Sequence, residues 1–171
     1  MDDASLVAAL QLADSFFPSG MVTFSHGLET FVSLGLQAGE DILPLLEDYL
    51  RGKIAPCDLV AYAHAYRAAE REDFARLQEI DRYLTASLLP QETRQGSGRS
   101  GRAILETLRA TVDAKIFQQF ASAVQTGDSA GNAAVSLGVL CAVWTIPLRA
   151  GALLHLYTFA VSFLSAALRL G

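Results

Sequence analysis

Between residues 129 and 168 the only charged side chain is Arg149. Two apolar segments, 129–148 and 150–168, must therefore hide from water either in a bilayer or in a protein core. As a membrane hairpin they are poorly built. The first contains Gly131, Asn132, Ser136, Gly138 and Pro147, and Arg149 stands where the turn would be too short to clear the lipid. Neither segment has the flanking lysines or the aromatic belt that anchor a span. The small residues Ala130, Ala133, Ala134, Gly138 and Ala142 suit close helix packing in a soluble core or at a subunit interface instead. A membrane-associated helical protein is the rival to carry forward.

The rest of the chain has helical periodicity and no strand-like alternation. Ser5 is expected to cap a first helix over Leu6, Val7, Leu10 and Leu12, closed by Phe16-Phe17-Pro18-Ser19-Gly20. Thr23 should cap a second with Phe24, Leu28, Phe31 and Val32 on one face, stopped by Gly35. Asp41 opens a third with Pro44 in its first turn. Asp58, after Pro56, should cap a fourth, Asp73 starts a fifth, and Pro90 breaks it. A helical pattern with at least one break then runs from Gln91 to about Gly127, and 127–132 is the clearest loop. The expectation is an all-α, single-domain bundle of about eight to ten helices.

Composition narrows the function. With 171 residues the chain is one domain's worth, and 51% hydrophobic content excludes a disordered chain. A net charge of −5 argues against a nucleic-acid binder, which needs a basic face to displace counterions. Cys57 and Cys141 lie far apart in apolar runs, as buried thiols of a reducing compartment do. Met1-Asp2-Asp3 lacks the basic start of a signal peptide, so a cytoplasmic protein is expected.

Chemistry-bearing motifs are few. Gly96-Ser97-Gly98-Arg99-Ser100-Gly101 spells the dinucleotide-binding G-x-G-x-x-G, but that motif works only after a buried strand, and the residues before it are polar and helix-like. Its glycines are better placed to admit another backbone, with Arg94, Arg99 and Arg102 on a polar surface suited to carboxylates of a partner. His26 and Glu29, at i,i+3, share one helix face and form half a metal site at most, so no metal site and no cofactor is expected. His155, inside Leu153-Leu154-His155-Leu156-Tyr157, fits a hydrogen-bonded core histidine better than a catalytic base. A helical enzyme using His26 and Glu29 is the third alternative.

The segment Leu10-Gln11-Leu12-Ala13-Asp14-Ser15-Phe16-Phe17-Pro18-Ser19-Gly20-Met21-Val22-Thr23-Phe24-Ser25-His26-Gly27-Leu28-Glu29 resembles the opening motif of the urease accessory protein UreF family. Glu92-Thr93-Arg94, residues 98–102, Gly131-Asn132 with Gly138, and Ser165-Ala166-Ala167-Leu168-Arg169 extend the resemblance to about residue 169. It implies a single UreF-like helical domain over 1–171, without the C-terminal tail that family members usually carry. It further implies a cytoplasmic homodimer with no catalysis of its own, which joins a UreD/UreH-type accessory protein and a nickel-carrying UreG-type GTPase to deliver nickel to apo-urease. Phe24, Ser25, His26, Glu29, Arg94, Arg99, Arg102 and Arg169 become partner-binding candidates. Pro18, Gly20, Gly27 and Leu28 become structural motif residues.

Overall fold

The computed structural model describes residues 1–19, 24–35 and 40–170, and among the described residues the regular structure is helical without a strand. In chain order the helices are α1 (Asp3–Ala13), α2 (Leu28–Ser33), α3 (Ile42–Tyr49), α4 (Val60–Glu70), α5 (Phe74–Ser87), α6 (Gln91–Leu108), α7 (Lys115–Thr126), α8 (Ala133–Val143) and α9 (Leu148–Leu170). Between α3 and α4 a π-helical stretch, Leu50–Leu59, carries the chain without a break. The all-α, single-domain architecture follows the sequence pattern.

The centre of the bundle is α8, buried at every position from Ala133 to Cys141. A helix apolar all round has no solvent face to offer, so its neighbours must enclose it. It packs most extensively on α4 and α6 and also on α7 and α9. A second, smaller core joins Leu28, Ile42, Leu46 and Ile54 to Phe159 and Phe163 of α9. By length and apolarity α9 could cross a membrane, with mean hydropathy 1.6 in its most apolar window, 44% of which is buried inside the fold. Its buried stripe includes the polar side chains His155 and Ser162. Both cysteines are free, and burial pushes the Cys141 thiol up to about 12.

Several local expectations change. Asp2, not Ser5, caps α1, by accepting from the Ser5 N–H at 2.8 Å. The Ser5 hydroxyl instead meets the Trp144 carbonyl and the Thr145 hydroxyl, both at 3.1 Å, docking α1 onto the α8–α9 turn. Asp58 caps nothing, because Pro56 is absorbed inside the π-helical stretch and the helix runs on. Phe31 and Val32 stay about a third exposed, 36% and 37%, so Leu28 is the one α2 side chain fully buried. Asp73 does cap α5, accepting from the Arg76 N–H at 3.0 Å. The proposed cap Thr23 and the motif residue Gly20 lie outside the described residues.

Candidate functional site

Residues 24–29 form a tight turn entering α2, and three helices hold it. His26 and Gly27 take successive left-handed conformations, φ 55° and 80°. Glycine accepts such a φ freely and histidine more readily than most side chains, so the sequence permits the turn at this point. The Ser25 carbonyl accepts the Leu28 N–H at 2.9 Å, and Leu28 then drops into the second core, 1% exposed. The Phe24 ring lies against α6, where Gly96 leaves room; a Cβ there would stand 2.8 Å from the ring's Cζ. The Arg99 guanidinium covers the same ring, 5.2 Å from its centroid.

His26 is the keystone of the turn rather than a residue on an exposed face. Its Nε2 meets the Ser162 hydroxyl at 3.0 Å, and its backbone carbonyl accepts the Tyr49 hydroxyl at 2.7 Å. The imidazole sits edge-on to Phe159, with centroids 4.9 Å apart, and beside Phe163. Burial in this aromatic setting, reinforced by the Lys53 and Arg169 cations, holds its pKa down to about 4, while Glu29 works in the opposite direction. At neutral pH it is an uncharged structural side chain. Glu29, one turn on, is exposed, and its carboxyl lies below the usual range chiefly because the Ser25 hydroxyl bonds it.

The arginines divide. Arg94 turns back and donates to the carbonyls of Leu88 and Leu89, closing the α5–α6 corner. Arg99 and Arg102 are exposed, one helical turn apart on α6. Arg169 is exposed at the end of α9, near enough to His26 to act on its charge. The structure thus brings Phe24, Ser25, His26, Glu29 and Arg99 into one neighbourhood with Arg169 at its edge, and gives Arg94 a separate structural task. Pro18 is exposed in the turn after α1. Among the described residues no three His, Cys, Asp or Glu side chains gather to hold a metal ion.

The family model for UreF matches residues 36–171. The urease accessory protein UreF of Trichodesmium erythraeum (strain IMS101) is 33% identical over 171 residues, 99% of this chain and 74% of that protein. The chain belongs to the UreF family. UreF 1 of Brucella melitensis biotype 1 is 31% identical over 96% of this chain and 68% of its own length, and UreF of Ureaplasma urealyticum serovar 10 is 25% identical over 92% and 67%.

Within this UreF chain, Tyr49, Phe159, Phe163 and Ser162 position the turn, and none was assigned to the site from the sequence. The available signal was on α9, where Ser162 follows His155 by seven residues and Phe159 precedes Phe163 by four, a single stripe at helical spacing.

The depressed His26 pKa has a measurable consequence. Above pH 6.5 the histidine is neutral folded and unfolded, so stability there is complete. As pH falls toward about 4 the unfolded chain binds a proton that the folded chain refuses, and stability drops by up to about 1.4 kcal/mol per pH unit. His155, fully buried and also shifted down by burial, adds loss of the same sign. Urea unfolding of His26→Gln between pH 7.5 and 4.5 is expected to show a shallower decline than the wild type. An unchanged slope contradicts the burial assigned to this ring.

Proposed function

We propose that the chain is a non-catalytic scaffold of urease maturation, which joins a UreD/UreH-type accessory protein and a UreG-type GTPase for nickel delivery to apo-urease. UreF membership supports the accessory role and partnership with other urease accessory proteins. The observation that carries the reading is the construction of the 24–29 turn: Phe24, His26 and Leu28 are engaged in packing while Glu29 faces solvent on a rigid base. An exposed carboxylate on a backbone fixed in this way is presented to a protein partner from a preorganised turn, so little backbone freedom remains to be lost on binding.

Arg99 and Arg102 extend the surface with planar donor forks that suit partner carboxylates. Self-association rests on a different face. Leu6, Val7 and Leu10 share the outer side of α1, all more than 40% exposed, and Phe16 just beyond is 93% exposed. Apolar side chains so placed fit a homodimer of this cytoplasmic protein.

Glu29→Gln is expected to weaken capture of the accessory partner and GTPase at least tenfold in a pull-down titration, with unfolding stability within about 0.5 kcal/mol of wild type. Reversing Arg99 and Arg102 to glutamate should slow association, and added salt should mimic it in the wild type because exposed charges are screened. Unchanged recruitment by both variants, with the fold intact, removes this surface from the proposal.

A further inference from the structure

Pro56 gives the chain a choice between α3 and α4. Inside an α-helix a proline lacks the N–H that would bond Gly52 and presses its ring on the Gly52 carbonyl, so the ordinary helix is penalised here. One way out is a break, with Asp58 free to cap a new helix start. The other is a π turn, whose i→i+5 bonds no longer need the bond to Gly52. The π-helical stretch Leu50–Leu59 takes the second way, and the position of Asp58 accounts for it.

Asp58 is drawn inward. Its side chain is 4% exposed and pairs with Lys53, Nζ to Oδ2 at 2.9 Å, while Lys53 is 31% exposed and keeps contact with water. Oδ2 has no directed hydrogen bond among the described residues, so the Lys53 cation is what makes its burial tolerable. The two residues are five apart. In α geometry, side chains five apart point about 140° away from each other and stand about 7.5 Å apart along the axis, whereas π geometry brings them to one side. A buried ion pair adds little net stability, because desolvation offsets the attraction, and its best-attested use is to specify a register.

We infer that the Lys53–Asp58 pair specifies the π register of residues 50–59 and through it positions Tyr49 against the 24–29 turn. Tyr49 directly precedes the stretch; its hydroxyl donates to the His26 carbonyl at 2.7 Å, and its ring lies 5.2 Å from that of Phe163. Ile54, inside the stretch and 1% exposed, packs in the second core with Leu28. A slip of one residue to the α register turns one flank by about 100° relative to the other. Tyr49 and Ile54 cannot then both keep their places, and the turn loses the hydroxyl that holds its carbonyl. Lys53 and Asp58 are positioning residues. Their effect on recruitment rests on the recognition role proposed for the turn, whereas their effect on the turn itself does not.

Imidazole NMR of the full chain between pH 8 and 5.5 separates a register lock from simple electrostatics. Wild-type His26, its pKa held down to about 4, stays neutral across this range. In Asp58→Asn it is expected to begin titrating there, its midpoint raised by at least one pH unit, because a released turn lets water reach the ring. Losing an anion can by itself only lower a histidine pKa, so an unmoved or lowered midpoint overturns the inference. If Asp58→Asn does not fold, Asp58→Leu takes its place, because it leaves no polar atom buried there and Lys53 keeps its charge in water; the same rise is expected and the same result overturns. Capture of the accessory partner, measured on the same variant, should fall at least fivefold. A raised His26 midpoint with unchanged capture upholds the lock and removes the turn from the recognition surface, so the two readings fail separately.

Discussion

Replacing Asp81 with alanine is expected to destabilise the protein by about 3–5 kcal/mol, the usual cost of removing one partner from a buried charged network. Asp81 is 1% exposed on α5, yet its carboxylate serves α8. Oδ2 accepts the Gly131 N–H at 2.9 Å, and Oδ1 accepts the Asn132 N–H and the Asn132 side-chain amide, both at 2.8 Å. That amide also reaches the Asp81 carbonyl at 3.1 Å and the Thr85 hydroxyl at 2.7 Å. The α8 N-terminus has no side-chain cap from Asn132 itself; the Ala133 N–H goes to the Ser97 hydroxyl at 3.2 Å, and the Asp81 carboxylate, borrowed from α5, accepts the two N–H groups just before the helix and sets a negative charge at the positive end of its dipole. Alanine leaves two backbone donors buried without acceptors, each costly in a dry interior, and takes one of its three acceptors from the Asn132 amide. Asp81→Asn keeps one acceptor oxygen and should lose less, about 1–2 kcal/mol. Denaturant midpoints at constant slope check both values, and a loss under about 1 kcal/mol for Asp81→Ala removes the carboxylate from its place as the α8 cap.

The fold was legible because apolar periodicity and helix punctuation are local signals. Pro90, Gly127 and Pro147 mark boundaries in the structure as they do in the sequence, and the uncharged run 129–148 became the central helix. What stayed hidden was polar side chains acting across sequence. Asp81 falls between Ile80 and Leu84 and follows Leu77, all buried, so it occupies a core position of α5, and a carboxylate there signals a distant partner that only tertiary structure can name. Ser5 and His26 were misplaced for the same reason: each has a local reading, a cap or an exposed helix face, that loses to a partner more than 130 residues away, Trp144 and Ser162. The π-helical stretch was unreadable because Pro56 before an aspartate is the ordinary signature of a helix start. The partner-binding candidates divide by exposure. Glu29, Arg99, Arg102 and Arg169 are exposed as a recognition residue must be, while His26 and Arg94 have internal tasks.

The three glycines of Gly96-Ser97-Gly98-Arg99-Ser100-Gly101 lie within one unbroken helix, α6, and do unequal work, which orders their alanine variants. At Gly101 a Cβ collides with the Gly131 carbonyl and stands 2.8 Å from the Ala133 nitrogen and 2.7 Å from the Ser136 hydroxyl. Two of these are backbone atoms at the start of α8, the segment that Asp81 fixes from the other side, so nothing can give way cheaply. At Gly96 the obstacle is the Phe24 ring, a side chain that can shift, though doing so strips the signature turn from α6 and uncovers Arg99. At Gly98 the nearest atom is the Ala130 carbonyl at 3.4 Å, close to ordinary contact. Alanine is worth roughly 1 kcal/mol over glycine inside a helix, and overpacking costs about 1–3 kcal/mol or more. Gly101→Ala should therefore lose about 2–3 kcal/mol net, and Gly98→Ala should lie within about 1 kcal/mol of wild type. Gly96→Ala should separate the two readouts, with a moderate stability loss and a larger loss of partner capture as the 24–29 turn is pushed off its base. Gly138→Ala on α8, facing the Tyr62 carbonyl at 2.7 Å and the Tyr66 nitrogen at 3.1 Å, belongs with Gly101, because there too the obstruction is the backbone of a packed helix, α4. Equal midpoints for the Gly98 and Gly101 variants contradict the close approach of α6 to the start of α8 on which this order depends.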